Sequence, residues 1–168
     1  MTTSLLRDAL GHHAWATVRL LDVAADLTDE QLATNVPGTY GSIIDTLRHL
    51  VDSVCWYLSR LTGDETLQID VEPMGGAELR TIMERNSDGW RRLAETEIDP
   101  DEIVVVRRED GSEARSTKGI RMTQVLHHGT DHRSQVCTAL TVLGLEPPEI
   151  DAWDYGLTNG RLVVTEAP

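Results

Sequence analysis

Basic residues are scarce in this chain. Fifteen Lys and Arg stand against 28 Asp and Glu, a formal net charge of −13, and Lys118 is the only lysine. Docking on phosphate backbones or anionic headgroups depends on Lys and Arg displacing counterions, so this balance argues against nucleic-acid and membrane-surface partners. Long apolar runs are missing as well. No stretch approaches the ~20 residues that span a bilayer, and Met1-Thr-Thr-Ser-Leu-Leu-Arg-Asp carries charge where a signal peptide needs an unbroken apolar run. Cysteine is limited to Cys55 and Cys137, far apart and without a CxxC spacing. The expectation is a reduced, cytoplasmic protein with both thiols as small core residues. A Ser-His-Asp motif, a phosphate-cradling glycine loop and a Rossmann fingerprint are all absent, which removes the commonest sequence signatures of hydrolases and nucleotide enzymes.

What is present is helical patterning. A length of 168 residues predicts one domain, 1–168, large enough to bury roughly 70% of its unfolded surface without disulfides. Apolar spacing predicts a first helix over about 3–26, through Leu6, Leu10, Ala14, Thr17, Leu21 and Ala24. Thr28-Asp-Glu-Gln then reads as an N-capped turn before the Pro37-Gly38 break. A second helix runs from the Ser42 cap to about Leu61, and a third covers about 77–96. Ile103-Val-Val-Val-Arg, a turn containing Asp110-Gly111, and Glu113-Ala-Arg-Ser-Thr read as a β-hairpin. A last long helix covers about 120–143 and stops at Gly144. Four helices of this length, ~30 Å each, predict an all-α four-helix bundle with a small β-hairpin inserted before the last helix. Sites in such bundles are built from inward-facing side chains. The tail from Asp151 to Pro168 reads as irregular, with Trp153 and Tyr155 expected to pack against the helices, since large amphipathic rings are costly to expose.

The chemistry resides in the histidines. On the last long helix, Val125, Gly129, Val136 and Leu143 centre the apolar stripe, with His132 near that centre and His128 four residues earlier on its flank. This i, i+4 spacing puts two imidazoles one turn apart on one face, where one ion can be gripped by both. A buried pair without partners would be costly, so it wants a hydrogen-bond network or a metal. His49 is the candidate third ligand. The wheel places it nearly opposite the second helix's stripe, beside Asp45, Asp52 and Trp56. That face is either solvated or the wall of a polar cleft in which Asp45 or Asp52 orients the ring. His13 falls on the first helix's apolar flank and reads as a core or supporting residue.

Three segments taken together resemble the DinB (damage-inducible) family: His13-Ala-Trp-Ala with Leu20-Leu-Asp, Gly41-Ser-Ile-Ile-Asp-Thr-Leu-Arg-His49-Leu, and His128-Gly-Thr-Asp-His132-Arg-Ser-Gln135. The resemblance covers roughly residues 5–150. It implies an up-down-down-up bundle and a three-histidine divalent-metal site, here His49, His128 and His132. Many relatives carry His-His-Arg-Gly-Gln where this chain carries Asp131-His132-Arg133-Ser134-Gln135. Asp131 is not at a ligand position, so the departure leaves the site intact.

Three imidazoles leave an open position on the ion, the arrangement of catalytic zinc, and suit zinc by default with nickel as the alternative. The resemblance implies a metal-dependent enzyme on a small molecule, an S-transferase or isomerase using a low-molecular-weight thiol. A non-catalytic divalent-metal-binding stress-response protein and a metal-dependent hydrolase are the alternatives, and a homodimer is an open arrangement. Asp45, Asp52, Asp131 and Arg133 are candidate helpers whose roles spacing does not define.

Overall fold

The computed structural model describes residues 2–165 and the side chains of residues 5–165. Four long helices dominate: α1 (Thr2–Ala25), α3 (Ile43–Thr62), α4 (Gly76–Glu95) and α5 (Lys118–Val142), with the short α2 (Asp29–Leu32) and α6 (Ala152–Thr158) in the connections. Their ends follow local chemistry. Ser42 and Thr117 each cap a helix start, their hydroxyls accepting from the N–H of Asp45 and Ile120. Gly63 ends α3 in the left-handed region, at φ 77°.

α1 packs on α4 and α5, and α3 packs on the same two helices, so each of the four contacts two others. The shared core holds Leu10, Leu20 and Leu21 of α1, Leu47, Leu50 and Leu58 of α3, Leu79, Met83 and Trp90 of α4, and Leu140 of α5. The one sheet among the described residues is a hairpin, β1 (Ile103–Arg107) against antiparallel β2 (Glu113–Thr117), with Ile103 opposite Thr117 and Val105 opposite Arg115. Gly111, at φ 82°, supplies the positive φ of its turn. No helix among the described residues is long and apolar enough to cross a membrane.

The tail departs from expectation. It forms α6, because the Asp151 carboxylate accepts from the N–H groups of Trp153 and Asp154 and starts a helix. Tyr155 packs on α1, its ring 5.8 Å from that of Trp15 and 6.0 Å from that of His12. Trp153 does not pack: it is 70% exposed. Residues i and i+2 of a helix point to different sides, so only one of the two rings can face α1. Residues 166–168 of the expected tail lie outside the described residues.

Candidate metal centre

His49 projects from α3, and His128 and His132 project one turn apart from α5. The three rings converge, with centroids 4.4 Å apart for His128–His132, 4.8 Å for His49–His132 and 4.9 Å for His49–His128. One nitrogen from each ring lies within 4.8 Å of the others. His132 is buried, and the other two are half-buried at the rim.

The position of His49 reflects how α3 is covered. Both α4 and α5 pack on it, so the covered arc is wider than the leucine stripe. Residues on the α5 flank, including His49 and Tyr57, are drawn against His128. A wheel centred on Leu47, Val54 and Leu58 misses this second flank.

The residues present fit a divalent ion. The Nε2 atoms of His49 and His128 are 3.0 Å apart. Two nitrogens each ~2.0–2.1 Å from one zinc ion lie ~2.9–3.4 Å apart for bond angles of about 90–110°. All three donors are imidazoles, which bind metal in their neutral form. His128 is held to about 4, first by burial and then by the neighbouring His132 and His49. Burial and His132 lower His49 in the same direction, against a raising influence from Asp52. Both rings are therefore neutral at neutral pH and present lone pairs without first losing protons.

His132 is oriented by two residues whose roles spacing did not reveal. Its Nδ1–H donates to Oε1 of Gln135 at 3.1 Å, which leaves Nε2 as the free lone pair. The same oxygen accepts from the backbone N–H of Tyr40 at 2.9 Å. Tyr40 then stacks on His49, centroids 4.1 Å apart with planes 10° from parallel, and meets His132 edge-on at 5.4 Å. Gln135 carries a weak sequence signal, three residues after His132 on the same face. Tyr40 carries none, since it reaches the site from the loop before α3.

The four candidate helpers separate. Asp45 is engaged with the α3 cap, accepting from Ser42 Oγ at 2.5 Å, and does not bond His49. Asp52 does not bond His49 either and acts on it through its charge alone. The expected orientation of His49 by one of these carboxylates is thus corrected: the stacked Tyr40 ring holds it instead. Asp52 borders a recess of about 740 Å³ with Tyr40, Asp45, His49, Asp70 and Glu72. Burial raises its carboxyl pKa, His49 lowers it, and Asp70 and Glu72 raise it further. Asp131 points away and pairs with His127 at 3.1 Å on the surface.

Arg133 is buried on the other side of α5, where it ties that helix to α1. Its Nη1 donates to His13 Nδ1 at 3.1 Å and Thr17 Oγ1 at 3.2 Å, and Nη2 donates to Thr130 at 3.3 Å. Burial lowers its pKa to about 10. His13 is thereby a supporting core residue, as its place on the wheel predicts.

A search among curated proteins gives no match to the chain. The family model described as the DinB family matches residues 1–160. With its three histidines converging from two packed helices, the chain belongs to the DinB family.

Proposed function

We propose that the chain is a metal-dependent enzyme acting on a small molecule, an S-transferase or isomerase that uses a low-molecular-weight thiol, with His49, His128 and His132 as the metal ligands. The four long helices would then form the up-down-down-up bundle of the family, a reading supported by their pairwise packing. The observation that carries the proposal is the donor set: three imidazoles with no protein thiol or carboxylate among them.

A divalent ion held there, zinc by default, would make a bound thiol a thiolate nucleophile at neutral pH. The chain's own residues do the rest. Gln135 accepts from Nδ1–H of His132 and so directs Nε2 to the site, and Tyr40 fixes the plane of His49. Asp52, its pKa raised, stands at the rim of the recess where a proton released by the thiol can be taken up.

Neither cysteine of the protein supplies a nucleophile at this site. Burial pushes the Cys55 thiol up to about 11, and Asn86 Nδ2 donates to its sulfur at 2.9 Å in the core. Cys137 is likewise raised by burial. Thiolates, not thiols, attack electrophiles, so neither cysteine can serve and the sulfur must arrive with a substrate. Hydrolysis is the second reading, because the same ligands would activate water.

The test is transfer of a small thiol to an electrophilic bimane reporter by untagged protein, with and without prior chelation. Metal-dependent transfer that His132→Ala abolishes supports the proposal. Transfer that is indifferent to chelation contradicts it, and metal-dependent ester cleavage without thiol dependence selects the hydrolase.

A further inference from the structure

Arg121 is a buried cation without a counter-ion. It is 7% exposed, and no carboxylate among the described residues lies within 4.0 Å of its guanidinium. Its Nε–H is buried without an acceptor. The Nε–H of Arg60, on α3, is also buried without an acceptor. The two guanidiniums lie over the same indole, Trp56, with Arg121 Cζ 5.5 Å and Arg60 Cζ 5.7 Å from the ring centre. Burial lowers the Arg121 pKa, Tyr57 raises it and the Arg60 charge lowers it again, so the two cations repel.

Arg60 pairs with Glu65 at 3.8 Å and donates from Nη2 to Gln68 Oε1 at 3.4 Å, and it lines a recess of about 550 Å³ with Glu65 and with Arg107, Glu113 and Arg115 of the hairpin. Desolvated donors that make no hydrogen bond are costly, and a buried cation more so. In a chain of net charge −13, where acidic partners abound, leaving Arg121 without a carboxylate needs a reason.

The pair is aligned with the metal centre. Arg121 stands two turns before His128 on the same face of α5, an axial distance of about 10 Å. Aromatic rings connect the two places: Tyr57 is 6.3 Å from His128 and 5.0 Å from Trp56, centroid to centroid. We propose that Arg121 and Arg60, over Trp56, form the oxyanion-binding end of the substrate site, taking a carboxylate or phosphate group on a small molecule whose other end reaches the three histidines. The link to substrate rests on the function proposed above, whereas anion binding does not. Guanidinium forks match the planar pairs of oxygens on both groups. The overall negative charge repels nucleic acid and acidic membrane, so the anion is a small molecule.

The experiment titrates chelator-treated full-length protein with inorganic phosphate and with succinate, against sodium chloride at equal ionic strength, and follows the melting temperature. Either anion is expected to raise it saturably beyond chloride, and the stronger one identifies the recognised group. Arg121→Met should weaken that apparent affinity by about tenfold or more. No shift beyond chloride in the wild type, or an equal shift in the variant, overturns the proposal.

Should Arg121→Met fail to fold, the arginine Nε–H resonances of the wild type decide: movement of two of them on adding the anion supports the site, and movement of none refutes it. Metal and turnover play no part in these readings, so they stand or fall separately from the enzymatic reading. The link itself is tested by KM in thiol transfer. Arg121→Gln should raise KM for glutathione with little change in kcat, and leave 2-mercaptoethanol unaffected. Equal effects on both thiols would refute the link.

Discussion

At the scale of single residues, the site depends on which nitrogen of each ring is free. Gln135 decides this for His132, so Gln135→Leu should weaken metal binding by about 10–100-fold while all three histidines remain. Competition against a fluorescent chelator measures it, and unchanged affinity would show that the tautomer is set elsewhere. His128 gives a pH prediction. Its folded pKa of about 4 lies below the ordinary value of about 6.5, so the unfolded chain binds the proton first as pH falls. Its contribution to stability is complete above about pH 6.5 and is lost progressively towards pH 4. In chelator-treated protein, His128→Gln should therefore show a shallower fall in melting temperature between pH 7 and pH 5 than the wild type. Parallel curves would contradict the assignment.

The HxxxH pair was legible in the sequence because both residues share one helix, where spacing fixes their relative direction. His49 was legible only through resemblance, since its partner lies 79 positions away in the chain. Tyr40 was not legible at all, because its contacts are made by a loop whose path depends on packing.

Among elements, α5 approaches α1 closely at Gly129. At Gly129 a Cβ would collide with the His13 ring and would lie 2.9 Å from Arg133 Nη1. His13 is 1% exposed and Arg133 is held by it, so neither can move aside cheaply. Gly129→Ala should thus destabilise the fold by about 1–3 kcal/mol despite the better helix propensity of alanine, as denaturant unfolding would show. A stabilised variant would mean that the α1–α5 seam is looser than described. Helix positions followed from local chemistry: Ser42, Thr117 and Gly63 act within about three residues of where patterning ends. The tail was misjudged for a local reason too. Asp151 is a sound N-cap, but the short helix it starts lacks the several turns needed for periodicity to register.

For the whole molecule, the core would leave a metal bound at the histidines a secondary contributor to folding. The buried leucines, Met83 and Trp90 form one cluster across the four long helices, independent of the histidines. Chelation should lower the melting temperature modestly and leave the far-ultraviolet dichroism helical, unlike a zinc finger, which unfolds without its ion. Collapse of the helical signal on chelation would make the site structural. The central claim is that His49, His128 and His132 together hold one divalent ion. Its most direct measurement is metal content by mass spectrometry of untagged wild-type protein beside His49→Ala, His128→Ala and His132→Ala, each equilibrated with limiting zinc and desalted. The expected result is about one equivalent in the wild type and a large loss in every variant. Full retention by any folded variant, His132→Ala above all, would contradict the account.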